Sequence, residues 1–112
     1  MPEKRYEKYT VKISQPARRD AAEIIRYISQ NNPQAAENIK KRLQAKINSL
    51  NHFPYRGSYV PALLDRNLKE YRQITEPPWK IIYKVEDKTV RILAIIDSRR
   101  DLQDILIKKF LR

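Results

Sequence analysis

Five consecutive apolar side chains, Ile92-Leu93-Ala94-Ile95-Ile96, stand between Arg91 and Asp97. The run is too short to cross a membrane, and its β-branched isoleucines favour an extended backbone. A strand shows alternate residues to opposite faces, so this one is apolar on both. It predicts a central strand covered on each side, because an isoleucine face left in water would forfeit the burial that drives folding. Any fold for the chain has to be built around this strand.

The flanking pattern supplies the rest of the sheet. Segments 70–75 and 79–86 carry strand signals ahead of 89–97. Only Asp87 and Lys88 separate the last two, a hairpin-length loop in which Asp tolerates unusual backbone angles. The three strands are expected to form an antiparallel meander. Trp79, Ile81, Tyr83 and Val85 share one parity and are expected in the core. A further strand is expected over 9–14, where Tyr9, Val11 and Ile13 alternate with polar residues.

Between the first strand and the meander, the hydrophobic period changes to that of a helix. Ser14 and Pro16 read as an N-cap followed by a first-turn proline, and Ala17, Ala21, Ile24, Ile25 and Ile28 form a stripe at helical spacing. Asn32 and Pro33 repeat the signal ahead of Ala36, Ile39, Leu43, Ile47 and Leu50. Two helices so closely joined are expected to pack as an antiparallel hairpin. On the second, Lys40, Lys41, Arg42 and Lys46 read as a solvated face.

Residues 52–69, with Pro54, Gly57 and Pro61, are expected to form an irregular surface connection. Ser98 and Asp101 have capping-box spacing ahead of a third stripe, Leu102, Ile105, Leu106 and Phe110. The expected fold is α+β: an N-terminal strand, a two-helix hairpin, a three-stranded antiparallel meander and a short C-terminal helix, with the helices on one sheet face. Residues 1–8 read as a flexible basic arm, and 9–112 as a single domain.

Composition narrows the chemistry. The 112 residues carry 24 Lys and Arg against 13 Asp and Glu, a formal charge of +11, which points to a polyanionic partner. With 41% hydrophobic residues the chain is too apolar to stay disordered. No cysteine and only one histidine, His52, exclude Cys/His zinc sites, iron–sulfur clusters and thiol catalysis. The lone glycine, Gly57, removes Gly-rich phosphate loops. No metal site or cofactor is expected, and the missing signal-peptide and membrane-span patterns make a cytoplasmic address the expectation.

Several stretches then carry a resemblance. Pro16-Ala17-Arg18-Arg19-Asp20 runs into Ile24-Ile25-Arg26-Tyr27-Ile28, and Asn32-Pro33-Gln34-Ala35-Ala36 opens the second helix. Leu50 with Phe53-Pro54-Tyr55-Arg56-Gly57, Glu70-Tyr71-Arg72 and Trp79-Lys80-Ile81-Ile82-Tyr83-Lys84-Val85 follow, and the strand ending in Asp97 leads into Arg99-Arg100-Asp101. In this order and spacing the chain, over residues 9–101, resembles the RelE/ParE family of toxins from type II toxin–antitoxin pairs. It lies closer to the ParE-like members.

The resemblance implies a small basic toxin held in a hetero-oligomer by a cognate antitoxin, which in such pairs is often acidic and disordered until bound. It also implies one of two actions: ParE-like members inhibit DNA gyrase, and RelE-like members cut messenger RNA on the ribosome. Metal-free RNA cleavage needs a base, an acid and cations around the phosphate. Arg72, Arg99 and Arg100 supply only cations, so a nuclease would need Tyr71, Glu70 or Lys80 beside them. The stretch Asp97-Ser98-Arg99-Arg100-Asp101-Leu102 lacks the Tyr or His that nuclease members often carry there.

The expected function is therefore gyrase inhibition, with mRNA cleavage by Tyr71, Arg72, Arg99 and Arg100 as the alternative. Arg72, Arg99 and Arg100 are expected to form a contact for the target or antitoxin if they lie at adjacent strand ends. Otherwise they are solvated or paired with Asp97 and Asp101. Leu102, Ile105, Leu106 and Phe110 are expected either to bind a partner or to close the core. His52 is expected to serve the second helix's end.

Overall fold

In the computed structural model the described residues are 8–100 and the backbone of 102–110, with the side chains of Leu102, Gln103 and Phe110 excepted. The expected caps of the first two helices are present. Ser14 Oγ accepts a hydrogen bond from the Ala17 N–H at 3.2 Å, opening α1 (Gln15–Ser29). Asn32 accepts from the Ala35 N–H at 3.0 Å, opening α2 (Pro33–Asn48). Each helix has proline in its first turn, where a missing N–H costs nothing. A 3₁₀ turn, Ser49–Asn51, extends α2 and ends at the exposed His52.

Five strands form one sheet: β1 (Thr10–Ile13), β2 (Ser58–Tyr59), β3 (Tyr71–Glu76), β4 (Trp79–Glu86) and β5 (Thr89–Asp97). Their order is β1-β5-β4-β3-β2, so the apolar run of β5 lies inside the sheet. β3, β4 and β5 are antiparallel as expected. Asp87 takes the turn between β4 and β5 with φ 56°, the left-handed conformation that Asp tolerates. β1 pairs parallel to β5 from Thr10↔Thr89 to Ile13↔Ile92, and the helix hairpin carries the chain from β1 across to β2 at the opposite edge.

A β-bulge decides which residues of β5 face each side. Ile82 pairs with Ala94 but Tyr83 pairs with Ile92, leaving Leu93 as the extra residue. An inserted residue reverses the parity beyond it. Val90, Ile92 and Ile95 join one cluster with Trp79, Ile81, Tyr83 and Ile74, packed under Ala17, Leu43, Ile47 and Leu50. Ala94 and Ile96 join a second with Ile82, Val60, Leu63 and Leu106 on the other face. Trp79, Ile81 and Tyr83 are buried, and Val85 packs against the first cluster.

That second cluster corrects the expectation that the helices share one face. Within 52–69, the short helix α3 (Pro61–Leu64) and strand β2 are regular elements, and Val60 and Leu63 are buried. α3 packs with α4 (Leu102–Phe110) on the face opposite α1 and α2. The pattern missed this because four residues are too few to display a period. Ser98 stands four residues ahead of the start of α4, and its Oγ donates to the Pro78 carbonyl at 2.7 Å, tying the end of β5 to the β3–β4 turn. Asp101 and the arm over residues 1–7 lie outside the described residues.

Candidate functional site

β1 runs out at Ile13, so from Leu93 onward the edge of β5 needs other partners. α1 supplies them. Ser14 N–H donates to the Ile92 carbonyl at 2.9 Å, Ser14 Oγ to the Leu93 carbonyl at 3.4 Å, and Asp20 Oδ2 accepts from the Ile95 N–H at 2.9 Å. Burial pushes the Asp20 carboxyl above its ordinary value, against the opposing effect of the Ile95 hydrogen bond. These contacts hold α1 beside the end of β5 and leave a groove between them.

The groove encloses about 500 Å³ and is lined by Asp20, Glu23, Tyr27, Trp79, Asp97, Arg99 and Arg100 among others. Arg99 is committed: its Nε and Nη2 reach the two Asp97 carboxylate oxygens at 2.9 and 2.6 Å. Its backbone N–H donates to Asp97 Oδ1 at 2.9 Å. These bonds hold the Asp97 carboxyl down to about 2. The Arg100 side chain, by contrast, makes no hydrogen bond or ion pair among the described residues, which leaves its fork open to an anion. Tyr27, 72% exposed, stands on the rim.

Arg72 lies elsewhere. Register carries it across to Tyr83 and then to Ile92, whereas Asp97 is five residues farther along β5, about 16 Å of strand. Arg72 and the Arg99-Arg100 turn therefore occupy opposite ends of the sheet. The Arg72 guanidinium lies 5.2 Å from the Tyr55 ring centre and 4.7 Å from that of Tyr59. Its Nη1 donates to the Gly57 and Tyr55 carbonyls at 2.8 and 3.3 Å.

The other candidates are dispersed too. Tyr71 alternates to the opposite face from Arg72, where it packs half-buried against the second cluster with Lys84 5.9 Å from its ring centre. Lys80 donates to Thr75 Oγ1 at 3.1 Å, and Glu70 is exposed just before β3. Leu106 is buried and Ile105 half-buried in the second cluster, so both serve the core here. The side chains of Leu102 and Phe110 are outside the described set. Arg42 and Lys46 are not simply solvated: both pair with Glu76, at 3.0 and 3.8 Å.

A second groove, about 510 Å³, runs between α1 and α2. Its floor is apolar, with Ala21, Ile25, Leu43 and Ile47, and its rim carries Arg18, Arg26 and Lys40. The charge of the hairpin hinted at the rim. The groove itself was illegible, because it arises where two stripes meet incompletely. Asp20 and Tyr27 left a fainter signal, a carboxylate inside the α1 stripe and an aromatic ring outside it. No metal-ligand cluster of His, Cys, Asp and Glu occurs among the described residues.

The family model of the ParE toxin of type II toxin–antitoxin systems (parDE) matches residues 11–102. The chain belongs to the ParE toxin family. It is a toxin of a type II toxin–antitoxin system. No curated protein matches its sequence significantly. Among solved structures, a chain of the chromosomal ParDE system from P. aeruginosa superposes with a TM-score of 0.68 at 18% identity, covering 81% of this chain and 97% of its own. A chain of the RelBE2 toxin–antitoxin complex from Mycobacterium tuberculosis superposes at 0.56 with 20% identity, covering 85% and 97%. These likenesses establish a fold common to ParE and RelE relatives. Among the described residues of this ParE family member, no helix is long and apolar enough to cross a membrane.

Proposed function

We propose that this ParE family member inhibits DNA gyrase in the cytoplasm by protein–protein contact and is neutralised by a cognate acidic antitoxin. The observation that carries the reading is the separation of the candidate nuclease groups. Arg72 and the Arg99-Arg100 turn sit at opposite sheet ends, and Tyr71 faces away from Arg72. RNA cleavage through the 2′-hydroxyl needs base, acid and cations within hydrogen-bond reach of one phosphate. Dispersed groups serve recognition better than chemistry.

The antitoxin's place is the groove between α1 and α2. Its apolar floor fits one face of an amphipathic segment, and Arg18, Arg26 and Lys40 fit acidic residues on that segment's flanks. The open Arg100 fork, across α1, offers a further anionic contact. A chain at +11 attracts such a segment from a distance and gains from complementary charge on docking.

A second reading, mRNA cleavage, draws on the groove beside β5, where Glu23 and Tyr27 stand near Arg100. Adding antitoxin-free protein to a purified translation system and mapping messenger ends by primer extension separates the two. The gyrase reading expects an intact messenger at protein excess. Cuts at A-site codons that vanish with Arg100→Ala would replace it with the nuclease.

A further inference from the structure

Large apolar side chains that stay exposed are concentrated in one stretch of the chain. Among the described residues, all except Tyr27 fall between 53 and 64: Phe53, Tyr55, Tyr59 and Leu64. Tyr55 and Tyr59 stand at the end of the sheet where β3 begins, and Phe53 lies two residues ahead of Tyr55 in the same loop. Tyr55 is 57% and Tyr59 42% exposed, although both contact the Arg72 guanidinium. A soluble protein that leaves a cluster of rings in water keeps a surface ready for a partner.

The rings are also held in place. Arg72 lies against both, and its Nη1 ties down the loop that carries them through the Tyr55 and Gly57 carbonyls. Gly57 N–H donates to the buried Tyr83 hydroxyl at 2.9 Å, which fixes the loop to the sheet from below. Tyr9 packs edge-on to Tyr55, its centroid 6.4 Å away. Side chains already ordered lose little entropy on binding, and tyrosine and arginine dominate the energetics of protein interfaces.

Charge identifies the partner. From Asn51 to Leu64 the sequence holds no Asp or Glu, while Arg56 lies within the segment and Arg72 against its tyrosine rings. The complementary surface is acidic. A nucleic-acid strand is the less suitable anion, because the Arg72 guanidinium already lies against the Tyr55 and Tyr59 rings on which bases would stack.

We propose that Tyr55 and Tyr59, braced by Arg72, together with the neighbouring Phe53, are the target-binding surface of the toxin, docking on an acidic face of a folded protein. The assignment rests on the reading above, under which that protein is gyrase. It places target contact at the opposite end of the molecule from the Arg99-Arg100 turn, and leaves the α1–α2 groove to the antitoxin.

The test compares the parent chain with a Tyr55→Ala/Tyr59→Ala double variant and with Arg56→Glu, a surface charge reversal that keeps the rings. Binding to immobilised gyrase, binding to the cognate antitoxin and thermal melting are measured for each. The expected result is gyrase binding at least tenfold weaker in both variants, with antitoxin affinity and melting close to the parent's. Arg56→Glu supplies the answer should the double variant unfold. Parent-like gyrase binding by the folded variants would overturn the surface while leaving the gyrase reading intact. Loss of antitoxin binding, or of binding to a labelled oligouridylate, with gyrase binding retained would assign the patch to that ligand and overturn it equally. A parent chain that does not bind gyrase would remove the reading and this inference together.

Discussion

At the scale of single residues, the tightest constraint is the approach of Gly57 to Tyr83. A Cβ on Gly57 would stand 2.5 Å from the Tyr83 hydroxyl and 2.6 Å from the Gln73 carbonyl, distances that require the loop to move. Its φ is not positive, so the glycine is needed for room and not for backbone freedom. Gly57→Ala is expected to cost about 1–3 kcal/mol as overpacking. Tyr83→Phe, which removes only the acceptor for the Gly57 N–H, is expected to cost about 1 kcal/mol; urea denaturation of both variants checks the pair. Asp97 gives the residue-scale pH dependence. Arg99 holds its carboxyl at about 2, below the ordinary 3.8, so the contribution of this pair is complete above about pH 4 and is lost as pH falls through 2. An Asp97→Asn chain should differ from the parent in denaturation midpoint at pH 5 and converge with it toward pH 2. The arginines were legible in the sequence as a set. Their separation was not, because spacing along a chain says nothing about which end of a sheet a residue reaches.

At the scale of elements, caps and stripes were the clearest sequence signals and produced α1 and α2 with their starts in place. Ser14, Asn32 and the prolines beside them act locally, so a local pattern suffices to read them. The bulge at Leu93 and the helix α3 are the opposite case. Inserting one residue into an already apolar run leaves no compositional trace, yet it sends Ala94 and Ile96 to a face that α3 and α4 must then cover. Of the third stripe, Leu106 is the residue on which this cover turns. It is buried against Val60, Leu63, Ile82, Ala94 and Ile96, and Leu106→Ala is expected to cost about 2–5 kcal/mol by denaturant titration. A loss under about 1 kcal/mol would mean that α4 contributes little to the fold and that its apolar residues are free for a partner.

At the scale of the whole molecule, the charge of +11 is what the proposed acidic antitoxin would meet. Self-repulsion among cations opposes compactness, and on the proposed reading an acidic antitoxin relieves it while covering the apolar floor of the α1–α2 groove. Affinity for the antitoxin should therefore fall as salt is raised from about 0.05 to 0.5 M. Reversing Arg18 and Lys40 together at the rim of the α1–α2 groove should weaken it at least tenfold in low-salt calorimetry; an unchanged affinity would move the antitoxin elsewhere. Target contact stands at the other end of the sheet in this account, so neutralisation and attack use different surfaces of one small body. The supercoiling assay reaches that claim most directly. Purified, antitoxin-free toxin is added to gyrase, ATP and relaxed plasmid, and the topoisomers are resolved on a gel. Supercoiling is expected to be lost in a dose-dependent way and restored by prior addition of antitoxin. Full supercoiling at a large molar excess of folded toxin would contradict it.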